Sequence, residues 1–394
     1  MKYLLSCIVI LFSLIYRAQE TNVLDVDVEI TPSSSLEYSD SSLSAFRIKM
    51  KDLALGKIQK VKIYHFGDSH IQPNNLTGET RLYAQTYFGN GGRGLVFPYS
   101  LANTNGPKDY TITSTVKWAN SWCINYPHKF NLGVAGMGVQ SLSKEGEIKV
   151  NLNKDTTSFT KVKAMVIYSM EDPENGKISL NNTTSKLGSD KNYDTLSVDL
   201  YDEEETLYIV FSGSKITIHG IYFENEQNGI IYNSAGVAGA RYKDYNKTEY
   251  FIEQLNLMNP DLVIISLGTN ESYDSNYNGT AFEAEVDTMI CKIKRTIPQA
   301  NVILTLPSEN YKMANGKPIE NNTVDKVSAV LRSQALKHNC AIWDLCAAMG
   351  GDGSMLEWYD KGWVNKDHVH FLKAGYNEQG YLLFEAINKA LVQD

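Results

Sequence analysis

The chain lacks an excess of positive charge. Its 37 Lys and Arg stand against 45 Asp and Glu, a formal net charge of −8. No basic field exists to gather phosphates, which argues against nucleic acid as a partner. Cysteine is scarce, five in 394 residues, and its spacing fits no zinc pattern. His128, His219 and His338 lie in no ligand motif either, so no metal is expected. Internal repeats and low-complexity tracts are absent, which excludes solenoids and fibrous arrays.

Long apolar runs are also missing. The stretch from Leu4 to Ile15, broken only by Ser6, Cys7 and Ser13, is short of the about 20 residues that a spanning helix needs. With Lys2 before it and Ala18-Gln19 after it, residues 1–18 read as an export signal. An uncleaved anchor is the alternative. Cys7 lies too early in the run for lipidation. Cleavage removes Lys2 and Arg17 and no acid, so the net charge passes from −8 to −10. The expected location is periplasmic or secreted, with no membrane span left after cleavage. Four cysteines remain: Cys123, Cys291, Cys340 and Cys346. Such a compartment permits disulfides, and pairing and buried free thiols stand equally open.

What is present is a globular composition, 43% hydrophobic and 11% aromatic. The length suggests about two domains. Residues 19–43 are a polar lead-in. Ser44 to Leu55 has helical spacing, Val61 to Phe66 is a β-type run, and Asn74 to Phe88 reads as a helix. Residues 95–228 hold short β-type runs separated by turn signals, which predict an all-β sandwich. From Gly229 onward, apolar runs at 229–232, 261–267, 301–306 and 341–343 alternate with helical stretches near 241–257, 280–296, 321–338 and 373–391. That alternation predicts a parallel sheet covered on both faces. One α/β domain, 44–94 plus 229–394, is therefore split by a β insertion at 95–228.

Function in such a sheet gathers at the carboxyl ends of strands. Ser69 follows the first strand in Gly67-Asp68-Ser69-His70. Gly236-Val237-Ala238-Gly239 follows the strand around Ile231, and Gly268-Thr269-Asn270 ends the strand 261–267. Asp367 and His370 precede the last helix. Ser, His and Asp together supply a nucleophile, a base and a carboxylate that orients the base. Ser69 is assigned as nucleophile, His370 as general base and acid, and Asp367 as its orienting carboxylate. The Gly239 N–H, the Asn270 amide and the Ser69 N–H are assigned to the oxyanion. His368 competes with His370, but the Asp-x-x-His spacing favours His370. Gly136 and Gly236 compete with Gly239; the first reads as a sandwich turn, the second as backbone geometry. His65 reads as a satisfied core histidine, His70 as a structural residue behind the site in preference to one that shapes it, and Arg93 as a loop anchor, with a substrate contact the alternative. Glu271 either touches substrate or pairs locally. Trp118, Trp122 and Tyr126 either stack on sugar rings or serve core and turn roles.

These four blocks, in this order, resemble the SGNH/GDSL hydrolase superfamily. The tail Asp367-His368-Val369-His370-Phe371-Leu372-Lys373-Ala374-Gly375-Tyr376 is similar to the family's ending. Ser69-His70, Gly89-Asn90-Gly91-Gly92-Arg93-Gly94 and Trp343 to Gly351 resemble bacterial peptidoglycan O-acetylesterases of that superfamily. The resemblance covers about residues 45–394 and is weak inside the insertion. It implies a flavodoxin-like α/β domain interrupted by a β-sandwich similar to a family-35 carbohydrate-binding module. It also implies hydrolysis of O-acetyl esters on peptidoglycan without a cofactor. Deacetylation of another polysaccharide such as acetylated xylan, a carbohydrate-binding protein with an inactive hydrolase domain, and an O-acetyltransferase are the alternatives. A lipase is disfavoured, for no extended apolar lid lies near the site.

Overall fold

Residues 36–152, 161–181, 183–185, 192–201, 206–314 and 317–392 are described by a computed structural model. The expected export signal and most of the lead-in lie outside them. The first elements are β1 (Leu36–Glu37), α1 (Ser44–Ala54), β2 (Lys60–Gly67), α2 (Asn75–Phe88), β3 (Asn90–Gly92) and β4 (Gly94–Val96). Strands alone follow: β5 (Tyr110–Ser114), β6 (Trp118–Trp122), β7 (Met137–Ser141), β8 (Gly146–Leu152), β9 (Lys161–Met170), β10 (Lys177–Leu180), β11 (Thr183–Ser185), β12 (Asp194–Tyr201), β13 (Thr206–Ser212) and β14 (Ile216–Asn225). Alternation resumes with β15 (Gly229–Gly236), α3 (Tyr242–Asn246), α4 (Phe251–Met258), β16 (Leu262–Ser266), α5 (Thr269–Ser272), α6 (Gly279–Thr296) and β17 (Asn301–Leu306). A hairpin of β18 (Tyr311–Ala314) and β19 (Lys317–Glu320) precedes α7 (Thr323–Lys337), β20 (Ala341–Asp344), α8 (Leu345–Met349), α9 (Ser354–Asp360) and α10 (Lys373–Val392).

Apolar side chains point to both faces of the central sheet, as in Leu262 to Ile265 of β16, because both faces are covered. Val61 and Ile63 of β2, Leu262 and Ile264 of β16 and Ile303 of β17 face one core, with α1 and α10. Tyr64, Phe66, Val263, Ile265, Val302 and Leu304 face the other, with α4, α6 and α7. The sheet runs β1-β20-β17-β16-β2-β15-β3. Every pairing is parallel except β1 with β20. The wholly parallel sheet expected from the sequence is thus corrected to a mixed one. A two-residue edge strand carries too little periodicity to be read. Leu36 is buried, and nearby Ser39 and Ser42 bond through their hydroxyls to Asn339 Oδ1 at 2.7 and 2.8 Å.

The chain leaves this sheet after β3 and returns at β15. Between them lie two antiparallel sheets, β11-β10-β13-β8-β5 and β12-β9-β14-β7-β6, with β4 also on β14. In β13, Leu207, Ile209 and Phe211 are buried and Tyr208 and Val210 exposed, the period of two that one covered face requires. These residues share a cluster with Val139, Val166 and Ile218 of the other sheet, continuous with the α/β core.

One expected helix, 241–257, is two. Thr248 Oγ1 donates to the Asp244 carbonyl at 3.1 Å, a local bond that competes with helix pairing. Glu249 is drawn away to accept from the Leu132 N–H at 3.0 Å. Gly136 is the turn expected within the β region: its N–H donates to the Gly133 carbonyl at 3.0 Å, its φ is +69°, and β7 starts at the next residue. Beside it, the Tyr64 hydroxyl donates to the Val134 carbonyl at 2.6 Å and the Val134 N–H to Gln254 Oε1 at 2.9 Å.

Candidate active site

Strand register brings the predicted residues together. Gly67, the last residue of β2, pairs with Gly236 of β15 on one side and Ser266 of β16 on the other. The loops that carry Ser69, Gly239 and Asn270 therefore leave neighbouring strands at one level. Ser69 sits on a tight turn in which the Ile71 and Gln72 N–H groups donate to the Asp68 carbonyl at 3.2 and 3.1 Å. Gly236 admits this turn: a Cβ there would stand 2.6 Å from the Asp68 carbonyl oxygen and 2.2 Å from the Gln72 nitrogen. Its place among the candidates is that of close backbone packing.

Asp367 and His370 arrive from the loop before α10. Ser69 Oγ lies 2.9 Å from His370 Nε2, and His370 Nδ1 lies 2.7 Å from Asp367 Oδ2. The other Asp367 oxygen accepts the backbone N–H groups of Val369 and His370, each at 3.0 Å. Burial raises the Asp367 pKa, but those three hydrogen bonds outweigh it and hold the group below its ordinary value. The carboxylate is thus kept charged beside the imidazole. The His370 and Asp367 side chains are 41% and 42% exposed, so an ester on a large molecule has access. His368 is not part of this row. It is buried, with its ring 4.3 Å from that of Tyr359.

The oxyanion candidates divide into two kinds. Among the described residues, the Ser69 and Gly239 N–H groups meet no acceptor. Gly239 has φ +83° and is exposed. The Asn270 amide donates to Asp68 Oδ2 and to the Ala240 carbonyl, both at 3.1 Å. Both of its hydrogens are engaged at rest.

Asp68, assigned no role from the sequence, is 1% exposed. Burial pushes its pKa up to about 7, against the His70 N–H, the charge of His370 and the Asn270 amide. Glu271 is pairing locally: its Oε1 accepts the Tyr242 N–H at 2.9 Å, and burial lifts it to about 7 as well. His65 is the satisfied core histidine expected, between the Tyr232 hydroxyl at 2.8 Å and Ser266 Oγ at 2.6 Å. Arg93 anchors a loop, with Nε 2.7 Å from Asp109 Oδ2 and Nη1 2.8 Å from the Leu95 carbonyl. Gln72, unread in the sequence, ties the loops together: its Oε1 accepts the Ala238 N–H at 2.7 Å and its amide reaches Thr104 and Asn105. A lone Gln after a strand carries no spacing signal. Trp118 is buried and Tyr126 exposed, near Lys247.

The four cysteines Cys123, Cys291, Cys340 and Cys346 are free thiols. Among the described residues, two side-chain groups could hold a metal, Asp287–Cys291–His338 and Glu309–Cys346–Asp352. In the first, Lys337 and His338 already bond to Asp287 Oδ1 at 2.5 and 2.6 Å. In the second, the Gly353 and Met355 N–H groups occupy the Glu309 carboxylate. Neither includes Ser69, Asp367 or His370.

Residues 223–377 match the GDSL-like Lipase/Acylhydrolase family model. The match begins near the end of β14, so it includes Gly239, Asn270, Asp367 and His370 but not Ser69. No curated protein matches the sequence. A solved structure of a peptidoglycan O-acetylesterase is similar with a TM-score of 0.81 at 21% identity, over 90% of this chain and 99% of that one. A Bacillus subtilis protein has a TM-score of 0.35 at 12% identity, over 72% of this chain and 90% of its own. An acetyl xylan esterase has 0.32 at 19%, over 40% and 81%. Over residues 223–377 the chain thus matches the GDSL-like family model, and as a whole it has the fold of the peptidoglycan O-acetylesterase structure.

Proposed function

We propose that this protein is an exported serine esterase that removes O-acetyl groups from peptidoglycan. The observation that carries the chemistry is the continuous row Ser69 Oγ–His370 Nε2–His370 Nδ1–Asp367 Oδ2, at 2.9 and 2.7 Å. Ser69 Oγ attacks the acetyl carbonyl while His370 takes its proton, and Asp367 stabilises the imidazolium. The oxyanion lies against the free N–H groups of Ser69 and Gly239. Asn270 exchanges its bond to Asp68 for one to the same oxygen. Collapse expels the sugar hydroxyl, protonated by His370, and leaves an acetyl-enzyme. Water activated by His370 then releases acetate. No cofactor enters these steps.

The cell-wall substrate is supported by the likeness, over nearly the full length of both chains, to a peptidoglycan O-acetylesterase. On this reading residues 95–228 are an inserted β-sandwich of carbohydrate-binding type between the hydrolase segments 44–94 and 229–394. Residues 1–18 direct export to the periplasm or beyond. Among the described residues no helix is long and apolar enough to cross a membrane.

The test is acetate release from O-acetylated peptidoglycan, beside acetylated xylan and beside Ser69→Ala. Release from peptidoglycan is expected, with a loss of at least about 10⁴-fold in the variant. Release from xylan alone keeps the mechanism and removes the substrate. Inertness toward both and toward a chromogenic acetate ends the esterase reading in favour of glycan binding.

A further inference from the structure

His70 is not in the proton row, yet it is the side chain laid against it. Its ring stacks on that of His370, with centroids 5.2 Å apart and planes 24° from parallel. Two contacts fix it. The His70 backbone N–H donates to Asp68 Oδ1 at 3.0 Å, and the Tyr376 hydroxyl lies 3.0 Å from His70 Nδ1 on the ring. Tyr376 belongs to α10, directly after the loop that carries His370. The Phe371 N–H also faces the Tyr376 oxygen, and the Phe371 ring stands 6.2 Å from that of His70. The nucleophile turn and the base loop are thus pinned to each other through one imidazole and one phenol.

We propose that His70 is a positioning residue: as a flat, uncharged imidazole it holds the His370 ring in line with Ser69 and faces the imidazolium as it forms. This rests on the Ser69–His370–Asp367 reading above. The choice of imidazole follows from its surroundings. An aliphatic side chain would fill the space without a polar edge for Tyr376. A permanent cation would repel the imidazolium. The titratable groups that face His70 are His370, Asp367, Asp68 and Tyr376. Burial, then the charge of His370, push its pKa down to about 3 against the pull of Asp367.

The test uses the full mature chain and a soluble acetate ester, read as kcat, KM and the pH dependence of kcat/KM. His70→Ala is expected to lower kcat about 10²-fold, the usual scale for a base displaced by about 1 Å, with KM within about twofold. The acid limb of the pH profile should move. His70→Phe keeps a flat face but loses the Tyr376 bond, and should recover kcat to about the level of Tyr376→Phe, some tenfold below wild type. If His70→Ala does not fold, Tyr376→Phe removes only the hydroxyl and should lower kcat about tenfold with the same displaced limb. Wild-type kcat in His70→Ala or in Tyr376→Phe overturns the proposal. So do equal losses in Ala and Phe with an unmoved limb, the result of a merely structural role. Ser69→Ala run alongside separates the two failures: if it stays active, the Ser69 reading itself has failed.

Discussion

Gly236 and Gly239 are three residues apart, and their glycines answer different needs. A Cβ on Gly236 would strike backbone on the turn that carries Ser69 at 2.2 and 2.6 Å, and backbone cannot move aside cheaply. At Gly239 the nearest atom would be Ile124 Cδ1 at 3.8 Å. There the cost is φ +83°, a left-handed conformation worth about 1–2 kcal/mol to any residue with a Cβ. Gly236→Ala should therefore yield no soluble folded protein. Gly239→Ala should fold with a melting temperature only a few degrees lower, yet lose about 10²-fold in kcat as its N–H turns from the oxyanion. A fully active Gly239→Ala would remove that residue from the oxyanion site. The sequence distinguished the two by their place in the family blocks; the close approach behind Gly236 is a tertiary fact.

At the scale of elements, the turn bearing Ser69 is only as rigid as what supports it. Asn74, which follows that turn and starts α2, accepts Arg81 Nη1 at 3.2 Å and Ser234 Oγ at 3.1 Å. Arg81 shares Asp109 with Arg93, each at 2.7 Å, with both arginine side chains under 10% exposed. One carboxylate thus serves two buried cations from α2 and the β3–β4 link. Burial raises the Asp109 pKa, but the two arginines outweigh it and hold it below its ordinary value. Asp109→Ala leaves both cations uncompensated and should cost about 3–5 kcal/mol, read as a lower urea midpoint. A loss under about 1 kcal/mol would show that water reaches the arginines. Of this clamp the sequence disclosed Arg93 as an anchor. Its partner was hidden, since Asp109 lies in a stretch with no periodic pattern.

Across the whole molecule, polar groups are buried far from any catalytic role, and proton linkage makes them measurable. His219 is fully buried, 3.1 Å from Ser169 Oγ. Burial pushes its pKa down to about 3, despite the charge of Glu249. An unfolded chain protonates the same histidine near pH 6.5. Between those values the unfolded state binds the extra proton, so stability falls as pH falls, by about 1.4 kcal/mol per unit for this one group. Buried carboxyls such as Glu271, raised to about 7, act in the opposite sense. A difference between proteins isolates the histidine. His219→Gln should be less stable than wild type at pH 7, and the gap should close by about 1.4 kcal/mol per unit below pH 6.5. Urea unfolding at pH 7, 6 and 5 measures it; a gap constant across that range would mean His219 is hydrated.

The sequence by itself determined the elements and the order of the blocks. Period-two runs such as Leu207, Ile209 and Phe211, and strands apolar at every position such as Leu262 to Ile265, are local patterns that need no partner to be read. Ser69, Asp367 and His370 were legible because chemistry limits which residue types can serve and the loops fall after predicted strands or before a predicted helix. Tertiary structure alone decided what has no local signature. The edge strand β1 exists only because β20 offers it a partner. The engaged Asn270 amide, the buried Asp68 and the His70–Tyr376 pin all depend on contacts between residues far apart in the chain. Burial and long-range partners set their charge and orientation, and neither is written in the neighbouring residues.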